Sequence, residues 1–297
     1  MNNNKILELS SAYRPPALFD IYPFIIGYSL RRLNKSVGIC MQIKRASDLA
    51  LTEVFFGSSG TKITKFSLTT SGETIQSWAN GSICYVHKWY NQGSGGSIYD
   101  LKQDTANLPL IYNGSDIVGL VDLFRTGVHF EFAYLLSDYA PNIAESSLYF
   151  QSMNYGANSD YRRAFSVIDS IMSGTKPIWQ VNTYAAMNII LGAPAVEKID
   201  GTGNHYFRVK ANGNSAIWNW MTINRTIATK TKIAINFIDQ QETIAEGTDD
   251  NYWYNDISNS KIMVGLDAGL IITEIILYDT PLSGQIKIDV EDNLNTQ

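Results

Sequence analysis

The chain has 297 residues, of which 45% are hydrophobic and 17% are charged, and its formal net charge is −5. This length suits one large all-β domain, and the hydrophobic fraction is sufficient for a core. Because Lys and Arg drive phosphate binding, the acidic balance argues against a nucleic-acid partner and against an anionic membrane surface. The longest apolar runs are too short for a membrane span, and the N-terminus does not read as a secretory signal.

The N-terminal segment, residues 1–17, is predicted to be an extended arm. It has a polar start and a rigid exit at Pro15 and Pro16, through which neither a helix nor a central strand can continue. Its few apolar anchors are Ile6, Leu7 and Leu9. They are too few to fold alone, so we expect a partner chain to order the arm. Residues 18–297 then form a single domain.

Most of the domain consists of short runs of β-branched and aromatic residues that are separated by Gly and Asn clusters, a pattern typical of strands and tight turns. The runs lie at 39–47, 61–70, 82–90, 146–153, 164–169, 177–184, 205–212, 216–223, 232–239 and 261–267. They predict an all-β fold in which two antiparallel sheets pack into a sandwich. We expect helix only near the two ends, between Leu18 and Leu33 and, capped by Ser283, through Val290 to Leu294.

The only two cysteines, Cys40 and Cys84, lie in apolar runs without zinc or redox spacing, so we predict buried thiols. The three histidines, His87, His129 and His205, are far apart and show no metal-binding spacing.

The first third of the chain contains several motifs in a fixed order. They are LFDIYP at 18–23, GYSLRRL at 27–33, QIKRASD at 42–48, VFF at 54–56, WYNQGSG at 89–95 and LPLIYNG at 108–114. In this order they resemble motifs of the arabinofuranosidase B catalytic-domain family, which read LLDxYP, AYSLRxL, VRRSSD, IGF, WYDQSG and QPxIVNxG. Near the C-terminus, TEIILYD at 273–279 resembles the closing strand of laminin-G-like and concanavalin A-like domains.

The resemblance implies that the sandwich is a two-sheet antiparallel jelly roll of concanavalin A-like type. The chain nevertheless departs from the family's chemistry. Those enzymes use a retaining mechanism that needs two carboxylates. Their nucleophile motif, an acidic residue followed by Glu-Asn in a Gly-rich turn, is not found between Asn113 and Gly269, and their adjacent cysteine pair is missing. In addition, Asn91 replaces the aspartate of WYDQSG. We therefore expect no enzymatic activity, with an arabinofuranosidase-type glycoside hydrolase as the alternative.

Two aromatic segments are candidate glycan sites. Trp89, Tyr90, Asn91 and Gln92 could form a sugar platform, although the alternation of 82–90 also favours core packing. The second segment, 249–256, could stack on a saccharide or fold back onto the sheet or a neighbouring subunit. Its aromatic candidates are Tyr252, Trp253 and Tyr254, and its candidate calcium ligands are Asp249, Asp250 and Asp256.

Asp267 and Glu274 could pair as catalytic carboxylates, but the position of Glu274 in the closing strand favours a surface or structural role. Domains that resemble this family also occur in bacteriophage virion proteins. We therefore expect a virion surface protein, made in the host cytoplasm, that serves as a fibre, decoration or adhesin and binds host polysaccharide. Its arm would contact other virion proteins, and the chain would form a homotrimer. A bacterial surface lectin is a further alternative.

Overall fold

The structure, a computed structural model, describes most of the chain in thirteen segments. They are residues 17–57, 62–104, 107–120, 125–154, 163–168, 179–182, 195–199, 205–211, 219–226, 230–239, 242–247, 260–265 and 270–295. Within these segments the chain is mostly antiparallel β-structure with few helices, as the sequence predicts. None of the helices in them is long and apolar enough to span a membrane.

The three α-helices of the described segments are α1 Leu18–Ile21, α2 Ile75–Ala79 and α3 Gly284–Asn295, and a 3-10 turn spans Ser97–Tyr99. The strands in the first half of the chain are β1 Ile26–Ser29, β2 Ile39–Arg45, β3 Leu51–Phe55, β4 Cys84–Trp89, β5 Leu101–Lys102, β6 Leu110–Tyr112, β7 Gly119–Leu120, β8 Arg125–Thr126, β9 Val128–Phe130, β10 Tyr134–Leu136 and β11 Ser146–Asn154. The remaining strands are β12 Arg163–Ile168, β13 Trp179–Asn182, β14 Ala195–Ile199, β15 His205–Ala211, β16 Asn219–Thr226, β17 Lys230–Ile235, β18 Ile238–Asp239, β19 Glu242–Gly247, β20 Lys261–Gly265 and β21 Leu270–Tyr278.

The strands pair in two antiparallel series. In the first, β18, β17, β16, β11, β21 and β1 are successive neighbours. In the second, the order is β3, β2, β4, β5, β10, β20, β12, β13, β14, β15 and β19. Strand β9 joins the two series because it pairs with β21 and also with β6, which pairs with β4.

The main hydrophobic core contains side chains from both series. Tyr28, Leu148 and Ile275 from the first series belong to the same buried cluster as Val86 and Val264 from the second. The two cysteines also lie in this cluster as free, buried thiols, which confirms the prediction. Burial raises the pKa of the Cys84 thiol to about 12.

A second hydrophobic cluster covers the other face of the first series. Strand β21 is buried along its whole length, so alternate side chains belong to different clusters: Ile275 to the main core, and Ile276 and Tyr278 to the second. Helix α3 contributes Val290 and Leu294 to the second cluster. The helix therefore covers a sheet face that would otherwise expose its apolar side chains.

The C-terminal helix is confirmed, but the helix predicted from Leu18 to Leu33 is wrong beyond Ile21. Pro23 follows α1, and Ile26–Ser29 instead forms β1, which pairs with β21. This pairing places Ile26 and Tyr28 in the main core, so tertiary burial decides the conformation. At Gly27, an added Cβ would lie 2.4 Å from the Phe24 ring, so glycine permits this close packing.

Two further predictions are corrected. Residues 62–70 form turns with isolated bridges at Leu68 and Thr69 instead of a continuous strand. In addition, α2 lies far from both chain ends. The Thr74 hydroxyl caps this helix by accepting a hydrogen bond from the Ser77 amide at 3.1 Å. The boundary of the predicted arm stays a prediction, because residues 1–16 lie outside the described segments.

Candidate functional site

A β-bulge in β4 gives one sheet face a cluster of polar side chains. Val86 pairs with Ile43 and Lys88 with Gln42, so His87 is an extra residue between the two pairs. As a result, Val86 and Trp89 both point into the core, whereas His87 and Lys88 are both partly exposed on the opposite face. Bulges often redirect side chains in this way next to functional sites.

The side chains on this face form a continuous hydrogen-bonded chain across three strands. The Tyr90 hydroxyl and the Gln42 amide nitrogen both donate to Oε1 of Glu53, at 2.7 and 3.0 Å. On the other side of Gln42, its Oε1 lies 2.7 Å from Nδ1 of His87. We call the surface formed by Gln42, Glu53, His87, Lys88 and Tyr90 the polar face.

Lys88, His87 and Lys102, along one edge of the polar face, each lie near a carboxylate. Lys88 lies 3.0 Å from Asp100, and its ammonium also lies 4.5 Å from the centre of the Tyr90 ring. Nε2 of His87 lies 3.3 Å from Asp104. Further along the same edge, Lys102 pairs with Asp138 at 2.9 Å. These carboxylates offset the two lysine charges, which suits a neutral polar ligand better than an anionic one.

Only one of the two carboxylate oxygens of Glu53 has hydrogen-bond donors in the described part of the chain. Its Oε1 accepts two hydrogen bonds, but within the described part of the chain no donor reaches Oε2, although that atom is buried. Burial, and then the hydrogen bond to Glu53, raise the pKa of the Tyr90 phenol well above its ordinary value. Tyr90 is therefore a neutral donor across the physiological pH range.

The predicted glycan residues near Tyr90 have different positions. Trp89 has no exposed surface and contacts the core, so its ring offers no face to a sugar. Gln92 is also fully buried and Asn91 is nearly so. Of the four, only Tyr90 lies partly exposed on the polar face.

The side chains of Asn91 and Gln92 form hydrogen bonds that fix the backbone of residues 25–33. The Asn91 amide nitrogen donates to the carbonyls of Ile25 and Gly96, at 3.1 and 3.2 Å, and its Oδ1 accepts from the amide of Gly27 at 2.8 Å. An aspartate could not donate to these carbonyls, so the contacts explain why an asparagine fits here. The Gln92 side chain likewise accepts from the amide of Leu33 at 2.6 Å.

Several other predicted site residues lie outside the described segments, and their roles stay predictions. These are the assembly residues Ile6, Leu7, Leu9, Pro15 and Pro16, the aromatic residues Tyr252, Trp253 and Tyr254, and the calcium candidates Asp249, Asp250 and Asp256. Within the residues that the structure does describe, no group of three or more His, Cys, Asp or Glu side chains could hold a metal ion.

Glu274 is a buried structural residue in the structure. Its carboxylate accepts from the Ser29 hydroxyl at 2.6 Å and from both Nε and Nη2 of Arg31 at 2.8 Å. Arg31 also donates to Asn293 of α3 at 3.3 Å, so the pair connects β21 to the C-terminal helix. Its proposed catalytic partner, Asp267, lies outside the described segments.

A polar cleft of about 470 Å³ lies at the turn after β2, beside α2. Arg45 lines it but is engaged by its own neighbours: its guanidinium pairs with Asp48 at 2.7 Å and stacks on Trp78. The hydrogen bond from Arg45 lowers the pKa of Asp48 to about 2. Because these groups satisfy one another, the cleft is a weaker candidate than the polar face.

The sequence reasoning missed Gln42, Glu53 and His87 as a group. The alternation of buried and exposed positions in β2 and β3 could have placed Gln42 and Glu53 on one outward face. No local signal marks the bulge that adds His87.

The fold is shared with a known class of structure, the concanavalin A-like β-fold. A solved α-L-arabinofuranosidase of glycoside hydrolase family 54, a mutant soaked with 4-nitrophenyl α-L-arabinofuranoside, matches with a TM-score of 0.56 at 15% identity. The match covers 94% of this chain and 65% of the enzyme, so the chain spans less than two thirds of its length. At this identity the likeness shows the fold alone.

Two further solved structures match the chain with TM-scores below 0.5. An arabinofuranosidase of the same family, soaked with a cyclic sulfate inhibitor, has a TM-score of 0.49 at 15% identity, over 94% of this chain and 65% of that one. The binding domain of Paraclostridial Mosquitocidal Protein 1 has a TM-score of 0.45 at 11% identity, over 71% and 50%. No protein-family model and no curated protein sequence matches the chain.

Proposed function

We propose that the chain is a non-enzymatic binding module that recognises a neutral glycan on its polar face. In this proposal the two series of strands are the two sheets of a jelly-roll sandwich. Their shared hydrophobic core supports this arrangement. The carbohydrate setting comes from the motifs in the first third of the chain and from the arabinofuranosidase fold.

The observation that carries the proposal is the hydrogen-bonded chain that joins Tyr90, Glu53, Gln42 and His87 on a partly exposed sheet face. These side chains stand on strands whose opposite side is packed into the core, so their positions are fixed before any ligand binds. Amide, hydroxyl and imidazole groups next to an aromatic ring are suited to sugar hydroxyls and to an apolar sugar face.

The engagement of the carboxylates supports a non-catalytic role. Retaining hydrolysis needs two carboxylates about 5 Å apart that are free to act on the glycosidic bond. Oε1 of Glu53 is occupied by Tyr90 and Gln42. Asp100 is occupied by Lys88 and by the backbone amide of Asn91.

The proposal is tested by calorimetric titration of the full chain with a panel of neutral oligosaccharides, including linear arabino-oligosaccharides. We expect binding to at least one of them, and a loss of about tenfold or more in affinity in Tyr90→Ala. Tyr139→Ala is the matched control, because Tyr139 is a well-exposed tyrosine on another segment. Equal binding by the two variants would contradict the proposed site.

The same preparation is incubated with 4-nitrophenyl α-L-arabinofuranoside. We expect no release of nitrophenol. Turnover that is abolished by replacing one carboxylate would establish the alternative, a glycoside hydrolase.

We further propose that the module acts on a virion surface as a homotrimer, with residues 1–17 as the assembly arm. This rests on the sequence resemblance and on the composition of the arm. Deletion of residues 1–17 should leave a folded domain that no longer trimerises or co-sediments with particles. Light scattering that gives the same oligomeric mass for the truncated and full chains would contradict an assembly role for the arm.

A further inference from the structure

The hydrogen-bonded chain on the polar face has a fixed direction that starts at Glu53. An ionised carboxylate only accepts, so the group of Gln42 that faces Glu53 at 3.0 Å must be its NH2. The Gln42 carbonyl oxygen then faces His87, whose Nδ1 lies 2.7 Å away. Because a carbonyl oxygen cannot donate, Nδ1 of His87 must carry a hydrogen.

We infer that Glu53, acting through Gln42, holds His87 as the Nδ1–H tautomer, so that Nε2 is the pH-sensitive acceptor of the polar face. When the imidazole is neutral, Nε2 accepts from a hydroxyl of a neutral saccharide. When it is protonated, Nε2–H donates to the Asp104 carboxylate, and this hydrogen bond competes with binding of the ligand. The identity of the ligand rests on the proposed function, whereas the tautomer does not.

Backbone hydrogen bonds place Asp104 next to His87. The amide of Gln103 donates to the His87 carbonyl at 3.2 Å, and the amide of Asp104 donates to the Gln103 side chain at 3.1 Å. The Asp104 carboxylate itself is 87% exposed and lies 3.3 Å from Nε2. A neutral Nε2 and a carboxylate are both acceptors and repel each other, so this contact becomes favourable only when the ring is protonated.

The charged groups next to His87 on β4 and β5 are paired with carboxylates other than Asp104. Lys88 and Lys102 come from β4 and β5, and each pairs with its own carboxylate, Asp100 and Asp138. Lysine and carboxylate side chains ordinarily keep their charges across the range in which imidazole titrates. Glu53 and Tyr90, from β3 and the end of β4, face the far side of Gln42. Among the contacts within the protein, protonation of His87 therefore strengthens the one with Asp104.

The tautomer is tested directly by long-range ¹H–¹⁵N NMR correlations of the histidine rings in the full chain, with His87→Gln used for assignment. At about pH 8, where imidazole is mostly neutral, we expect Nδ1 protonated and Nε2 bare for His87. In Gln42→Leu, which removes the acceptor, this preference should disappear. A His87 ring that carries its hydrogen on Nε2 in the wild type would overturn the inference, whether or not any glycan binds.

The switch is tested by titration with a linear arabino-oligosaccharide at about pH 8 and about pH 5, on either side of the usual imidazole range. We expect the wild type to lose about tenfold in affinity at the lower pH, the effect of one hydrogen bond. Asp104→Asn should retain its affinity within about twofold, because without the competing carboxylate the protonated Nε2–H can donate to the oxygen of the same hydroxyl. An equal loss in the wild type and Asp104→Asn would overturn the switch. Absence of binding at both pH values in every variant would instead count against the proposed function.

Discussion

Glu53 and Glu274 are both held by hydrogen bonds, but their networks are built in opposite ways. Glu274 is 2% exposed, and the hydroxyl of Ser29 and two nitrogens of Arg31 satisfy both of its oxygens beneath α3. Glu53 is partly exposed, and its two donors, Tyr90 and Gln42, both bind one oxygen.

The difference shows how the same side chain serves stability in one place and recognition in another. A closed, fully satisfied ion pair fixes the packing of α3 on the first series of strands, and breaking it leaves a buried charge. An open network can be broken at lower cost because water reaches its edge. The partly exposed His87 and Tyr90 beside Glu53 can also bond to a ligand.

The largest expected effect is at the closed network. Glu274→Leu should lower the free energy of unfolding by about 3–5 kcal/mol, because it leaves the Arg31 guanidinium buried without its counter-charge. The measurement is urea denaturation followed by fluorescence. In the double variant with Arg31→Met, most of this loss should be recovered. A single variant within about 1 kcal/mol of the wild type would show that the pair behaves like an exposed salt bridge.

Asn91→Asp should cost less, about 2 kcal/mol, because the new carboxylate faces the Ile25 and Gly96 carbonyls to which the amide donated. Asn113→Asp is the matched control. The Asn113 Oδ1 accepts three hydrogen bonds from Ser115 and Asp116, a role that a carboxylate can fill. Its stability should change by no more than about 0.5 kcal/mol in the same denaturation assay. Equal costs for the two variants would contradict the donor role of Asn91.

Alkaline pH should destabilise the region around Glu274 moderately. Burial raises the pKa of both Tyr149 and Tyr278 above the ordinary value of 10.0, with smaller contributions from Glu291 and Glu274 respectively. Above pH 10.0 these phenols ionise in the unfolded chain but stay neutral in the folded one, so stability falls as the pH rises. Phenolate absorbance and urea titrations at increasing pH measure this. Stability that is constant or increasing above this pH would contradict the assigned burial.

The smallest effect on stability is expected at the open network. Glu53→Gln should change the free energy of unfolding by less than about 1 kcal/mol, because the site is partly solvated. The pKa of the Tyr90 phenol should fall, since Glu53 helps to raise it, but should stay above its ordinary value because burial is the main cause. Ring NMR signals of Tyr90 report this titration. A cost as large as that of Glu274→Leu would remove the distinction between the two networks.

The sequence by itself determined most of the β-structure and the burial of the cysteines. Alternation in 82–90 identifies a strand because its period follows from which face is buried. The segment 273–279 was identified by its resemblance to a closing strand, and it lies almost wholly in β21. The C-terminal helix was equally predictable, since its end signals are local. The sequence favoured a surface or structural role for Glu274, and its burial shows that the role is structural.

Only the tertiary structure decided the rest. Ile26–Ser29 has residues that suit either helix or strand, and its pairing with β21 selects the strand. The bulge at His87 depends on how β4 pairs with β2, so the local sequence does not predict it. The donors of Glu274 lie more than two hundred residues away along the chain, and those of Glu53 lie on neighbouring strands. Such contacts depend on strand register, which is set by the packing of the whole sheet and not by any local run of residues.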